Sequence, residues 1–379
     1  MNAGEIVAQV APVLVFLLAI TVIAEIAQLA GVFDALGVFA ARLGRGRVTL
    51  MWLWLVLAAC AATIVLSLDT TAVLLTPVVL AAASRLGLSP LPFAMTTVWL
   101  ANTASLLLPV SNLTNLLAVY HLEGGVRAYI ALSWRPALAA IALTVVVLWL
   151  LHRRDLRGRY AVPDVAPPAD RVLFGIAAAV CVALGPAFAL GVPPAAASTV
   201  AALALVAALA VRAPQRLREI VVPWRMVLIL AAVFAAVQAL LAVGLEDLVR
   251  GVAGEGTAPS DLLRLAGTGA LAANGVNNLP AYLALEPVAV GEPVRLMALL
   301  VGVGIAPVVT FWASLATLLW RERCARAGCG SPPDGSRSTA WSWPFRRRSP
   351  PFSLSDASGN PSRSAPRTLS VASPYSRSS

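Results

Sequence analysis

Apolar residues run in blocks about as long as a bilayer is thick, and polar residues gather at a few places inside or between them. The blocks Val10 to Val32, Val48 to Leu68, Tyr129 to Leu151, Val172 to Leu190, Pro194 to Val211 and Met226 to Val243 approach or exceed the roughly 20 residues that a spanning helix needs. They predict an all-α polytopic membrane protein. Glu25 and Gln28 sit inside the first block, which is too long, and lacks the basic leader, for a cleaved signal peptide, so it reads as mature chain. Two polar clusters break the pattern. One joins Ala101 to Ser105 with Ser111 to Asn115, and the other joins Gly302 to Pro307 with Ser314 to Thr317. In hydrocarbon, non-helical backbone survives only where protein buries it or water lines it, so paired breaks in two halves predict a transport site.

Arginine-rich loops set the orientation. Arg42 to Arg47, His152 to Arg159, Arg212 to Arg218 and Arg321 to Arg326 should be cytoplasmic, with Glu123, Glu246, Asp247, Glu255 and Asp261 on connections between them. Tracing from those loops starts the chain outside and gives a first repeat over 1–151, with five helices and an inner re-entrant hairpin at 92–108. Residues 152–223 hold Arg-rich cytoplasmic loops and two further helices. A second repeat of opposite orientation covers 224–320, with an outer hairpin at 293–309. An offset of 202 residues lays Ser111 to Leu117 over Ala313 to Leu319, break upon break. The count is about eleven spanning helices in inverted repeats. The mirror of the Tyr129 to Leu151 helix is missing: residues 321–379 read as a cytoplasmic tail, and from Gly328 onward Ser, Pro, Gly and Arg dominate, as in disordered chain. A regulatory tail is one reading; a frame-shift in the coding sequence is the favoured one.

Composition narrows the function. Charged residues make up 12% of the chain and apolar ones 59%, against roughly 25% charged in soluble domains. Of the net charge of +10, most belongs to residues 321–379, which hold ten arginines and three acids, so the basic balance does not indicate nucleic-acid binding. Cys60, Cys181, Cys324 and Cys329 are scattered and predict neither metal nor disulfide. There is no phosphate-cradling loop, nucleophile elbow or zinc spacing, so no enzyme, no ATPase and no cofactor is expected.

Asp69, in Ser67-Leu68-Asp69-Thr70-Thr71, is an acid whose insertion costs on the order of 2.5 to 3.5 kcal/mol. It reads either as a carboxylate coupling transport to protons or cations or as a helix-end cap. Glu25 is a weaker coupling candidate, and Gln28 and Gln238 are readable as interhelical hydrogen bonds. Asn102, Thr103, Ser105, Ser111, Asn112, Thr114 and Asn115 form the first expected substrate cluster, too dense for helix-to-helix glue alone. Asn274, Asn277 and Asn278, with Thr310, Ser314 and Thr317, form its counterpart. His121 and His152 sit at helix ends, and Trp52, Trp54, Trp134, Trp149 and Trp224 read as belt residues at the membrane interfaces.

At Asp69 to Pro77, Ala101 to Ser105, Ser111 to Asn115, Asn277 to Pro280 and Ser314 to Trp320 the chain resembles the arsenite permeases, the arsenical pump membrane proteins, over about residues 10 to 325. They belong to a wider superfamily of citrate, dicarboxylate and sodium/proton carriers. The resemblance implies a fold of two inverted repeats whose hairpins meet broken helices at mid-membrane. It also implies export of arsenite or antimonite, a small inorganic oxyacid, across a bacterial plasma membrane. The drive would be a proton or potential gradient, or a soluble arsenite-stimulated ATPase docked on the cytoplasmic face. The chain departs from that pattern at Gly304, where an acid or amide is usual, and at Ala313, where glycine is frequent. An organic-anion or sodium/proton carrier of the same fold, and an inactive truncated membrane remnant or scaffold, are the alternatives.

Overall fold

The computed structural model describes residues 3–162, 169–220 and 239–326 and a few positions from 228 to 237, all within one compact unit, Met1–Ser331. Trp224, Gln238, Cys329 and the expected tail beyond 326 lie outside the described residues. Among the described residues the architecture is all helical, with one isolated antiparallel bridge, Arg47 to Arg159. Helices α1 (Ala3–Leu29), α2 (Val32–Leu43) and α3 (Val48–Leu66) are followed by α4 (Leu68–Arg85), which contains a π-helical turn at Thr71–Leu75. Then come α5 (Pro90–Ala104), α6 (Leu113–Val119), α7 (Gly125–His152), α8 (Arg171–Ala189) and α9 (Pro194–Arg212). The remainder is α10 (Glu246–Ala253), α11 (Pro259–Gly275), α12 (Asn278–Leu285), α13 (Pro293–Ile305) and α14 (Leu315–Arg326).

Among the described residues five helices are long and apolar enough to cross a bilayer, and α1 with α2, bent by 59°, makes a sixth if the pair is one span. The helix expected over Met226 to Val243 lies largely outside the described residues, and other crossings are pieced from short helices such as α6, whose 7 residues cover only about 10 Å at 1.5 Å per residue. Within the ranges expected for the hairpins, 92–108 and 293–309, the chain is helical to Ala104 and to Ile305. A single helix covers 90–104 because Thr96, Thr97, Asn102 and Thr103 each bond back to a carbonyl four residues earlier, and neither Gly nor Pro interrupts Phe93 to Ala104. Its polar turn falls at 105–112. The second half has the same order: α13, a 3-10 turn at Ala306–Val308, then α14.

Helix α7 shows why the sequence reads as lipid-soluble. Its buried stripe is Tyr129, Ser133, Ala137, Ala140, Thr144 and Leu148, spaced three and four apart. Its outward face carries Leu138, Leu143, Val146 and Leu150, each at least half exposed. Such a helix keeps hydroxyls for the protein and hydrocarbon for the bilayer, the arrangement expected where lipid is the solvent. Trp52 differs from the belt reading: it is fully buried, and its Nε1 donates to Thr96 Oγ1 at 2.7 Å. Trp134 and Trp149 are exposed, as a belt requires.

The Arg-rich loops meet one another. Val48 N donates to Gly158 O, Tyr160 N to Gly46 O, and Thr49 Oγ1 to Leu156 O, so the loop after α7 straps the corner between α2 and α3. Arg216 reaches Leu29 O, and Arg212 grips Asp170, which also caps α8 by accepting from Val172 N and Leu173 N. The guanidinium holds the Asp170 carboxyl down at about 2. At another surface His121 Nε2 and Tyr282 Oη both lie 2.9 Å from Glu286 Oε1, tying the loop after α6 to the end of α12.

Two expectations follow. The hydrogen bond to Glu286 raises the His121 pKa, so the ion pair stabilises fully below about 6.5, the unfolded value, and is lost as pH rises through the folded one. His121→Gln should therefore lower the melting temperature in detergent more at pH 6 than at pH 9; an equal gap at both would show that the pair contributes nothing. Tyr129 Oη donates to Leu106 O at 2.9 Å in a buried setting, so Tyr129→Phe should cost about 1–3 kcal/mol through the orphaned carbonyl, read as a lowered thermal midpoint.

Candidate functional site

Four helices begin inside the apolar body, and a polar side chain caps each. A helix start leaves backbone N–H groups without partners, which hydrocarbon cannot satisfy, so Ser or Asn at these places follows from the medium. Ser67 Oγ accepts from Thr70 N at 3.4 Å, and Asn112 Oδ1 accepts from Thr114 N at 3.3 Å. In the other half Asn277 Oδ1 accepts from Leu279 N at 3.4 Å, and Ser314 Oγ accepts from Thr317 N at 3.1 Å. Ser67 (φ 109, ψ 162) and Asn277 (φ 141, ψ 155) share a backbone region that is essentially glycine's own. Each therefore stores on the order of 1–3 kcal/mol of strain. The same strain recurs where an apolar helix, α3 or α11, gives way to the broken one after it.

The breaks hold each other. Ser111 Oγ donates to Ile64 O, three residues before Ser67. Asn278 N donates to Ala313 O, and Asn277 Nδ2 to Trp312 O, so the break at Asn277 abuts the one at Ser314. Across the halves, α14 packs on α4 and α5, and α12 on α6. Trp320 Nε1 of α14 reaches Ala94 O of α5 at 2.8 Å.

Most of the expected site side chains are committed to this scaffold. Thr103 bonds Trp99 O and accepts from Thr144; Ser105 bonds Asn102 O; Asn115 Nδ2 crosses the turn to Ser105 O; Thr114 Oγ1 faces Asn115 Oδ1. Ser314 and Thr317 bond reciprocally, while Thr310 N and Oγ1 donate to Asn274 Oδ1 and Asn274 Nδ2 donates to Ala306 O. Five buried side-chain atoms make no hydrogen bond among the described residues: Gln28 Oε1 on α1, Thr76 Oγ1 on α4, and three closer to the first breaks, Asn102 Oδ1, Asn112 Nδ2 and Asp69 Oδ1. Each such atom costs about 1–3 kcal/mol, and native proteins keep few of them. The three near the breaks comprise two acceptors and a donor, on α5, at the start of α6 and on α4. Asn278 is buried as well, and a Cβ at Gly304 would meet nothing within 4 Å, so that place beside the second turn is open.

Glu25 stands apart. It is half-buried on α1, which packs on α8 and α9. No group of three or more His, Cys, Asp or Glu suited to a metal occurs among the described residues. Cys60, Cys181 and Cys324 lie on α3, α8 and α14, away from the capped starts.

Sequence reasoning missed the hydroxyls of α7. Tyr129 bonds Leu106 O, Ser133 bonds Leu107 O, and Thr144 bonds Thr103 Oγ1, so one helix satisfies the turn after α5. Their helical spacing within an apolar block was the available signal. Arg295 was missed too: at 2% exposure, its guanidinium donates to the carbonyls of Val288, Gly254 and Gly256 and fixes α13 to the end of α10.

A family described as citrate transporter matches residues 4–317 of this chain. The arsenical pump membrane protein of Yersinia enterocolitica is 31% identical over 328 residues, covering 80% of this chain and 76% of the relative. Proteins of the same description from Escherichia coli (strain K12) and Shigella flexneri are each 30% identical over 332 residues, with the same coverage. Given these matches and the capped helix starts inside an apolar body, the chain belongs to the transporter family that takes in citrate transporters and the arsenical pump membrane proteins, and it is a membrane transporter, not an enzyme.

Proposed function

We propose that the chain exports a small inorganic oxyacid, arsenite or antimonite as the neutral hydroxide, across the plasma membrane of a bacterium, driven by the proton or potential gradient. The observation that carries this reading is the set of unpartnered atoms Asn102 Oδ1, Asn112 Nδ2 and Asp69 Oδ1 at breaks that otherwise satisfy themselves. A trihydroxide both donates and accepts hydrogen bonds, so it can donate to Asn102 Oδ1 and accept from Asn112 Nδ2 without leaving either buried. The names of the relatives support the same class of solute. Asn277, Asn278, Ser314, Thr317 and Thr310 supply the second wall, and Ser105, Ser111, Thr103, Thr114 and Asn115 hold the first in shape.

In this reading the halves are inverted repeats, 1–151 and 224–320, and the matched strain at Ser67 and Asn277 marks their equivalent hinges. Asp69 carries the coupling proton, because a carboxyl oxygen with no protein partner is tolerated in the membrane when it binds a proton or solute. No ATPase is required by this mechanism. The four helix starts favour a second reading, an organic anion such as citrate, since helix N-termini attract negative charge.

Expression in an arsenite-sensitive bacterium should lower cellular arsenic, and Asn102→Leu should return it to the empty-vector level at equal membrane content. That loss corresponds to at least tenfold in transport if one solute hydrogen bond worth about 1.4 kcal/mol disappears. Undiminished arsenic together with citrate uptake into the same cells would decide for the organic anion. In everted vesicles Asp69→Asn should abolish the response of transport to an imposed pH gradient; an unchanged response would leave Asp69 a structural residue.

A further inference from the structure

We propose that the corner between α2 and α3, with the strap that crosses it, is a binding site for the phosphate of an anionic phospholipid. Two contiguous clefts of about 580 and 570 Å³ share Arg47, Leu50 and Arg159. Arg45 completes the first and Arg157 the second, and no carboxylate lines either. None of these four arginines has a salt bridge or a side-chain hydrogen bond among the described residues.

The backbone forces them together. Arg47 and Arg159 are the bridged pair, so their side chains leave directly opposite positions, where like charges destabilise. Arg45 adopts a left-handed φ of 47°, a conformation uncommon for a residue with a side chain. The strap that imposes this arrangement is well anchored. Leu156 is 1% exposed, Tyr160 Oη donates to Ala41 O, and a Cβ at Gly44 would collide with that hydroxyl. A cluster of like charges with no ion pair among the described residues is an anion site.

The neighbouring apolar surface identifies which anion. Leu50 and Leu53 line the clefts, and Leu57 continues their row at the i, i+3, i+7 spacing of one helix face. Leu53 is 42% exposed and Leu57 58%, so an acyl chain has a track leading away from the guanidinium groups. Phe39 and Trp54, edge to face at 6.2 Å on α2 and α3, are of the aromatic type enriched at membrane interfaces. Basic pockets on the cytoplasmic side of helix bundles bind such headgroups. A free phosphate would use the arginines but not the leucines.

The test uses the purified full chain in detergent. Phosphatidylglycerol should raise the thermal midpoint by several degrees where phosphatidylcholine does not, and one phosphatidylglycerol should remain bound in native mass spectrometry. Arg47→Gln with Arg159→Gln should abolish both effects. If that pair fails to fold, Arg45→Gln, whose side chain takes no part in the strap, should weaken them. Equal stabilisation by inorganic phosphate at the same concentration would make this a free-phosphate site and overturn the lipid assignment. An equal response to the two lipids, or an undiminished response in the variants, would overturn the proposal entirely.

Discussion

A helix that begins inside hydrocarbon must find partners for its first N–H groups, and the structure is organised around four such beginnings. Ser67, Asn112, Asn277 and Ser314 each meet the demand with one side chain two or three residues ahead. The remaining polar groups follow from those choices. Ser111 is free to bond Ile64 O because Asn112 has taken over the cap, and Asn115 can cross to Ser105 O because α6 starts late enough to bring it over the turn. A lost cap would leave N–H groups that no lipid can satisfy.

The polar interior does two jobs with one set of residue types. Amides and hydroxyls whose atoms are fully engaged hold the breaks in shape; in the proposed function the few atoms left over are those offered to the solute. This division separates Thr103, Ser105 and Thr317, which are scaffold, from Asn102 and Asn112, which are each satisfied on one side and open on the other. Close helix packing supports the walls. A Cβ at Gly302 would lie 2.2 Å from Ala266 O, so α13 can approach α11 only with glycine there.

The ion pairs that join segments far apart in sequence lie in loops and at helix ends. Asp170 with Arg212 and His121 with Glu286 join segments far apart in sequence, and the strap of Leu156 to Tyr160 places a loop from the end of α7 across the start of α3. These contacts lie where the long helices end, while the breaks within the bundle are held by hydrogen bonds between uncharged groups.

Hydrophobic block length by itself determined the class, an all-helical membrane protein, and the positions of α3, α7, α8 and α9 to within a few residues, because a bilayer selects for length and apolarity regardless of neighbours. Polar density determined where the breaks lie, since hydrocarbon does not tolerate idle amides. It could not divide those residues into partnered and unpartnered groups, because that depends on which carbonyl or hydroxyl packing brings within about 3 Å, such as Ile64 O for Ser111, Trp312 O for Asn277 and the Thr144 hydroxyl for Thr103. The same reason governs the length of α5: threonines and Asn102 that look polar in sequence spend their hydrogen bonds inside α5 and prolong it. Arg295 and the α7 hydroxyls stayed hidden because burial of a polar group is a tertiary fact, decided by the carbonyls that packing brings to it.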